Sequence, residues 1–264
     1  MAQNGLVPIN FNRHSHQYWK RFTSYDFAAE RTESVIVEEE VLQIAATFPI
    51  VFRRTGPEIE PIAVYSLLAG EPSPFVSTEG RWLASYIPSE LRSHPFSCRR
   101  MDNGSTFQLV VDEGSGLLTE ECSDNPFFST PDTLGTELKE VQNFLKARAT
   151  SQIRTTEICK MIDAFGLFEP LSGNLEFGSA HNWLQINSAR LEQLSAKRKL
   201  ELVETKGLRL IYGHQASLSN LRWLFQAQKQ ISQAGASVKY TENSELTGFM
   251  NAFAQAQTDD VIWS

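Results

Sequence analysis

Hydrophobic residues in the first half of the chain fall in short runs closed by glycine and proline, the mark of strands joined by turns. FPIVFRR (48–54) and EPIAVYSLL (60–68) read as two strands on either side of the Gly56-Pro57 turn. TFQLVVDEG (106–114) reads as a third, set between Gly104 and Gly114-Ser115-Gly116. PFVSTEGRW (74–82) predicts a hairpin, because Thr78-Glu79-Gly80 supplies turn chemistry between Phe75-Val76 and Trp82. SYIPSELRSHPFSC (85–98) holds one helical turn, with Ser89 as its expected N-cap and Pro95 beyond its end. No helix-length segment separates these strands, so antiparallel pairing is expected. Upstream, residues 1–17 are polar and read as irregular, and Val37, Val41, Ile44 and Ala45 predict a short helix within residues 35–47.

Beyond residue 130 the apolar period changes from 2 to 3.6. Leu138, Val141, Phe144 and Leu145 predict a helix over 133–149. Ile158, Met161, Ile162 and Phe165 predict another over 152–166, closed by Gly166. Phe168 to Asn187 reads as extended. Ser188 is the expected cap of a helix running to Gly207, LRLIYGH (208–214) a further strand, and 217–233 a helix. A last helix over 244–257 would align Leu246, Phe249, Met250 and Phe253. The fold class expected is α+β: a strand-rich antiparallel N-terminal half followed by a mainly helical C-terminal half. The polar stretch 120–133 divides a strand-rich region (1–130) from a helical one (131–264), either as two units or as one compact domain.

Charge narrows the function. Lys and Arg number 24 against 31 Asp and Glu, a formal net charge of −7, which opposes nucleic-acid and anionic-membrane binding. The densest basic run is Lys197-Arg198-Lys199, read as a solvated helix face. No apolar run is long enough to span a membrane, and the N-terminus lacks a basic region followed by an apolar one. Cys98, Cys122 and Cys159 form no Cys-x-x-Cys pair, which suits a reducing compartment. A cytoplasmic location is the expectation.

Candidate chemistry is sparse. Glycine-rich phosphate loops, Gly-x-Ser-x-Gly and His-Glu-x-x-His do not occur, so the sequence names no cofactor. His14-x-His16 could share one side of a strand and hold a metal with His214 or Asp112, but loop hydrogen bonding accounts for the pair more simply and no metal site is assigned. Asp112 and Glu113 would point to opposite faces of a strand and cannot form a dyad alone; an ion pair with Arg53, Arg81 or Arg92 is the expected use. Gly213-His214-Gln215 follows an expected strand and could project a histidine into a crevice, or cap the next helix. Cys159 is expected in the core. Arg81, Trp82, Tyr86 and Arg92 form the cluster best suited to a ligand, because guanidinium groups among aromatic rings clamp carboxylates and stack on flat molecules. If instead the chain is an enzyme, His14, Asp112 and His214 would have to converge on one pocket.

Several blocks together resemble the bacterial SapC-like family: NRHSH (12–16), FPIVFRR (48–54), GRWLASYIPSELRSHPF (80–96), QLVVDEGSGLLTE (108–120), NFLKA (143–147) and LRLIYGHQASLSNLRWL (208–224). They run in order from about residue 7 to about residue 225. The resemblance implies a link to surface-layer protein export, or an accessory role in uptake or modification of a small molecule or polysaccharide. Members of that family often carry a peptide-permease label, which the lack of a membrane-length apolar run in this sequence contradicts. It assigns no catalytic residue, so a binding or accessory protein with a small-molecule, glycan or protein partner is the leading expectation.

Overall fold

The computed structural model describes residues 5–67, 70–100, 107–171 and 182–235, and in it the apolar runs of the first half pair as antiparallel strands. From residue 5 the N-terminal stretch, read as irregular until packed, is packed against the rest of the chain: β1 (Leu6–Pro8) leads to the single turn α1 (Phe11–His14), capped by the Asn10 side chain, and to β2 (Tyr18–Trp19). Its polar sequence hides two anchors, a backbone ladder to a distant strand and the buried Trp19 indole.

The helix expected over 35–47 is shorter. Val35 ends β3 (Glu33–Val35), pairing with Ile62, and only after a 3-10 turn at Glu38–Glu40 does α2 (Val41–Ala45) begin. The β-branched residues at 35–37 fit the sheet better than a helix. β4 (Ile50–Thr55) and β5 (Glu58–Val64) make the expected hairpin from Ile50↔Ala63 to Thr55↔Glu58, with Gly56 at φ +60° in the turn, a region open to glycine. After α3 (Ser89–Arg92) come β6 (Phe96–Arg100) and β7 (Phe107–Asp112), then the short strands β8 (Leu118–Thr119), β9 (Asn125–Pro126), β10 (Phe128–Thr130) and β11 (Thr133–Leu134).

The two helices expected between 133 and 166 are one. α4 (Thr136–Ala164) runs unbroken for 29 residues, with Phe165 as its C-cap and Gly166 at φ +68° just beyond. Around the junction of the two expected segments the helix turns Ser151 and Thr155 inward. Both are buried, and the Thr155 hydroxyl donates to the Ser151 carbonyl while accepting from the Glu38 N–H. β12 (Phe168–Pro170) and β13 (Trp183–Ile186) follow, then α5 (Ser188–Glu192), capped by Asn187 rather than by Ser188, and α6 (Ala196–Glu204).

The strand expected over 208–214 is instead α7 (Gly207–Ser217), followed by α8 (Asn220–Gly235). Gly207, Leu210, Ile211, His214 and Ser217 are buried, and that spacing is helical. Two of those inward residues are polar, so the apolar letters alone gave the wrong period. The helix expected over 244–257 lies outside the described residues.

Strand order is β12-β13-β4-β5-β3 in the larger sheet and β1-β7-β6 in a smaller one, with β8-β2-β9 and β10-β11 as minor pairings. One core, containing Phe48, Phe52, Ile62, Tyr65 and Phe75, joins the larger sheet to α2, α7 and α8. A second, containing Trp19, Phe96, Leu109, Val111 and Phe127, lies on the smaller sheet. α4 serves both, sending Leu138 and Leu145 into the second and Ile158, Cys159 and Ile162 into the first.

Candidate functional site

Where α4 crosses from one core to the other it leaves a cleft of about 460 Å³, bounded by Val35 of β3, Glu58 and Glu60 of β5, Ser97 and Cys98 of β6 and Phe107 of β7. The helix contributes Leu145, Arg148, Ala149, Gln152, Ile153 and Thr156, spaced by three and four residues and so sharing one face. Burial raises the Cys98 thiol above its ordinary pKa, opposed by the charges of Lys146 and Arg148. Four carboxylates line the cleft, those of Glu58, Glu60, Glu90 and Glu157, against the cations Arg148 and Lys160.

Arg148 is held rigidly. Its Nε donates to the Ser89 hydroxyl at 2.9 Å and its Nη2 to the Val35 carbonyl at 2.7 Å, with Glu90 Oε2 at 3.7 Å. Glu90 is fixed in turn by the Val35 N–H at 2.9 Å and by Arg31 at 3.2 Å. Behind Ser89 stands Glu40, only 4% exposed, a buried carboxylate that must be compensated. Its two oxygens accept from the Val37 and Ser89 N–H groups, the Ser89 hydroxyl and the Tyr86 hydroxyl. These bonds tie α3, the turn before α2 and α4 into one wall of the cleft.

Part of the expected Arg–aromatic cluster belongs to that wall. The Tyr86 hydroxyl donates to Glu40 and accepts from Arg92 at 3.0 Å; burial, then the Glu40 charge, pushes its pKa up to about 12. The Arg92 guanidinium lies 5.5 Å from the Tyr86 ring and 5.3 Å from that of Phe144, a stacking that uses its flat face. Trp82 packs among Tyr25, Phe48, Tyr65 and Phe75, and its Nε1 donates to the Tyr86 carbonyl at 2.9 Å. Arg81 is exposed and pairs with Glu79 at 3.1 Å, so the structure groups Trp82, Tyr86 and Arg92 and leaves Arg81 apart.

The histidines and Asp112 sit elsewhere. His214 is fully buried in the first core, with Nδ1 donating to the Ile50 carbonyl at 2.7 Å and Nε2 accepting from the Ile186 N–H at 3.2 Å. The ring thus fills the opening where β4 and β13, paired at Arg53↔Trp183 and Phe52↔Leu184, begin to part. Burial lowers its pKa to about 4, so it is neutral. Ser217 completes the joint by accepting from the Ile50 N–H at 2.8 Å.

His14 is also buried, but against Phe127 of the second core. Its Nε2 faces Glu113 at 3.4 Å, and Arg13 grips the same carboxylate at 2.5 and 2.6 Å, lowering the Glu113 pKa. Asp112 turns the other way and caps the Gly114 N–H at 3.0 Å. The carboxylate that meets His14 is therefore Glu113, and His14 and His214 are divided between two cores. Exposed His16 takes no part in these contacts. Arg53 pairs with Glu33 and Glu60, and Cys159 is buried.

Sequence reasoning missed Glu40, Glu90, Arg148 and Gln152. The available signal was the spacing of Leu145, Arg148, Ala149 and Gln152, an inward helix face whose polar members looked like solvent positions. Among the described residues, no group of three or more His, Cys, Asp or Glu side chains could hold a metal, and no helix is long and apolar enough to cross a membrane.

The molecule is an α+β protein with a recess under one long helix, and His14 and His214 are held by hydrogen bonds and packing outside its lining. The chain belongs to the SapC family, which it matches over residues 9–224. Searches of curated proteins and of solved structures returned no match.

Proposed function

We propose that this protein is a binding or accessory protein that seats a small molecule in the cleft under α4. The reading rests on one observation: a recess of about 460 Å³, large enough for a small ligand, whose wall is made rigid by the Glu40–Ser89–Arg148 network. A fixed guanidinium beside apolar side chains favours binding, because its orientation does not have to be recovered when a ligand arrives. Tyr86 and Arg92 support that wall from outside. Such a role is compatible with an accessory step in uptake or modification of a small molecule or glycan.

The test is native mass spectrometry of the protein purified from its own host, beside the Ala149→Phe and Thr156→Trp variants prepared in the same way. Both substitutions fill the cleft from α4, and thermal melts establish that each variant is folded. A noncovalent mass on the wild type that is missing from a folded variant is the expected result. The same mass on all three proteins, or on none, overturns the assignment.

A further inference from the structure

Two strand edges border the cleft, and the fold treats them differently. β3 is the outer strand of the larger sheet and β6 the outer strand of the smaller. Beside β3 the Ile36 N–H donates to the Pro61 carbonyl, so the N–H and carbonyl of Val35 face away from β5, and the side chains of Glu90 and Arg148 take both. That edge is sealed.

The β6 edge is open. The Asp112 N–H donates to the Pro95 carbonyl, while the Leu109 carbonyl accepts from the Ile9 N–H on the far side of β7. Antiparallel bonding alternates along a strand, so Ser97 and Arg99 bond to β7, and the N–H and carbonyl of Cys98 face away from it. Neither group meets a partner among the described residues. Ser97 and Cys98 project to opposite faces of β6 yet both line the cleft, so the recess reaches around the edge of the strand. Cys98 itself is part-exposed. Proteins commonly block such edges because they are templates for another strand.

Building on the proposal that this cleft holds a ligand, we infer that the ligand is a short extended peptide with a basic side chain, which adds to β6 as a further strand by exchanging backbone hydrogen bonds with Cys98. In strand addition the backbone supplies affinity and the walls select side chains. Of the four carboxylates lining the cleft, Glu60 pairs with Arg53, Glu90 with Arg31 and Glu157 with Lys160, while Glu58 makes no ion pair among the described residues. A basic side chain of the guest completes Glu58, and Leu145, Ala149 and Ile153 of α4 give it an apolar wall. Other occupants fit less well. A compact amine can meet Glu58 but lacks the paired donor and acceptor that Cys98 offers to a backbone. A second copy of the chain would have to bring a folded sheet under α4, for which a recess of about 460 Å³ is too small.

The experiment titrates the intact protein with Ac-Val-Lys-Val-Lys-Val-NH2, its counterpart with Glu in place of Lys, and two N-methylated forms of the lysine peptide, one methylated at the lysine amides and one at the valine amides. Successive amides of a strand point to opposite edges, so one form loses the N–H that meets Cys98 and the other keeps it. Affinity is read from protein amide shifts by NMR. The lysine peptide is expected to bind wild type and not the folded Ala149→Phe variant. One methylated form should lose at least about fivefold, the worth of one hydrogen bond, while the other matches the parent. The glutamate peptide should bind several-fold more weakly, a gap that Glu58→Gln narrows at unchanged melting temperature. Equal affinities of the two methylated forms, a preference for the glutamate peptide, or binding retained in Ala149→Phe overturns strand addition at β6 and leaves the cleft reading to its own mass-spectrometric test. Failure of all four peptides to bind overturns the peptide assignment alone if a cleft-dependent mass is found, and both readings if none is.

Discussion

The joint of α7 with β4 and β13 and the cleft under α4 are both built from polar residues at helical spacing, yet they end in opposite states. At the joint, both nitrogens of His214 and the hydroxyl of Ser217 bond to the backbone of Ile50 and Ile186. In the cleft, part of Arg148 is used in the same way, but Gln152 Oε1 is buried without a partner among the described residues. Buried polar groups within proteins are almost always satisfied, and the closed set of bonds around His214 marks a structural device. His14 is instead packed against Phe127 in the second core.

The largest expected effect lies at the joint. His214→Ala leaves the Ile50 carbonyl and the Ile186 N–H unpaired in the core, at about 1–3 kcal/mol each, so a loss of about 3–5 kcal/mol is expected from urea unfolding. A loss below about 1 kcal/mol would remove the contrast between joint and cleft.

The same residue sets a pH dependence. Its folded pKa, about 4, lies below the ordinary value of 6.5, so the unfolded chain takes up a proton that the folded protein refuses. Stability is therefore complete above the unfolded value and falls as pH drops from 6.5 towards 4, by about 3 kcal/mol in all. Urea midpoints across that window should show the slope in wild type and a shallower one in His214→Gln; equal slopes would exclude His214 as its source.

Gly213→Ala sharpens the comparison by probing packing instead of hydrogen bonding. A Cβ there would stand 2.2 Å from Val41 Cγ1, a β-branched side chain fixed in the core, so a loss of about 1–3 kcal/mol is expected from calorimetry. Wild-type stability in this variant would mean that α2 and α7 are free to separate. The smallest effect belongs to the cleft wall: Arg92→Ala removes an exposed stacking on Tyr86 and Phe144 worth about 0.5–1 kcal/mol. A larger loss in the melt would show that the wall depends on Arg92 more than on Glu40.

Much of the sheet was legible beforehand. The β4–β5 hairpin, β7 and the helical turn before Pro95 all follow from apolar runs and their flanking turns. The errors share one physical cause. α7 places His214 and Ser217 at inward positions, so its apolar letters alone do not show the helical period, and α4 does the same with Ser151 and Thr155. The candidate site was obscured for the same reason: Arg148 and Gln152 lie on the inward face of α4, while Arg81, the more conspicuous arginine, faces solvent. Distant partners such as Glu40 and Ser89, 49 residues apart, leave no local pattern.

The three cysteines allow the cleft itself to be measured: Cys122 is exposed, Cys159 is buried, and Cys98 lines the cleft in a half-buried position. The most direct experiment follows alkylation of each thiol by iodoacetamide at mildly alkaline pH, in wild type and in the cleft-filling Ala149→Phe variant, each rate normalised to that of the unfolded chain. Cys98 should react at a rate between those of the other two and slow several-fold in Ala149→Phe, while Cys122 is unaffected. A Cys98 rate as low as that of Cys159, or one that Ala149→Phe leaves unchanged, would contradict the assignment of the α4 cleft as an open binding site.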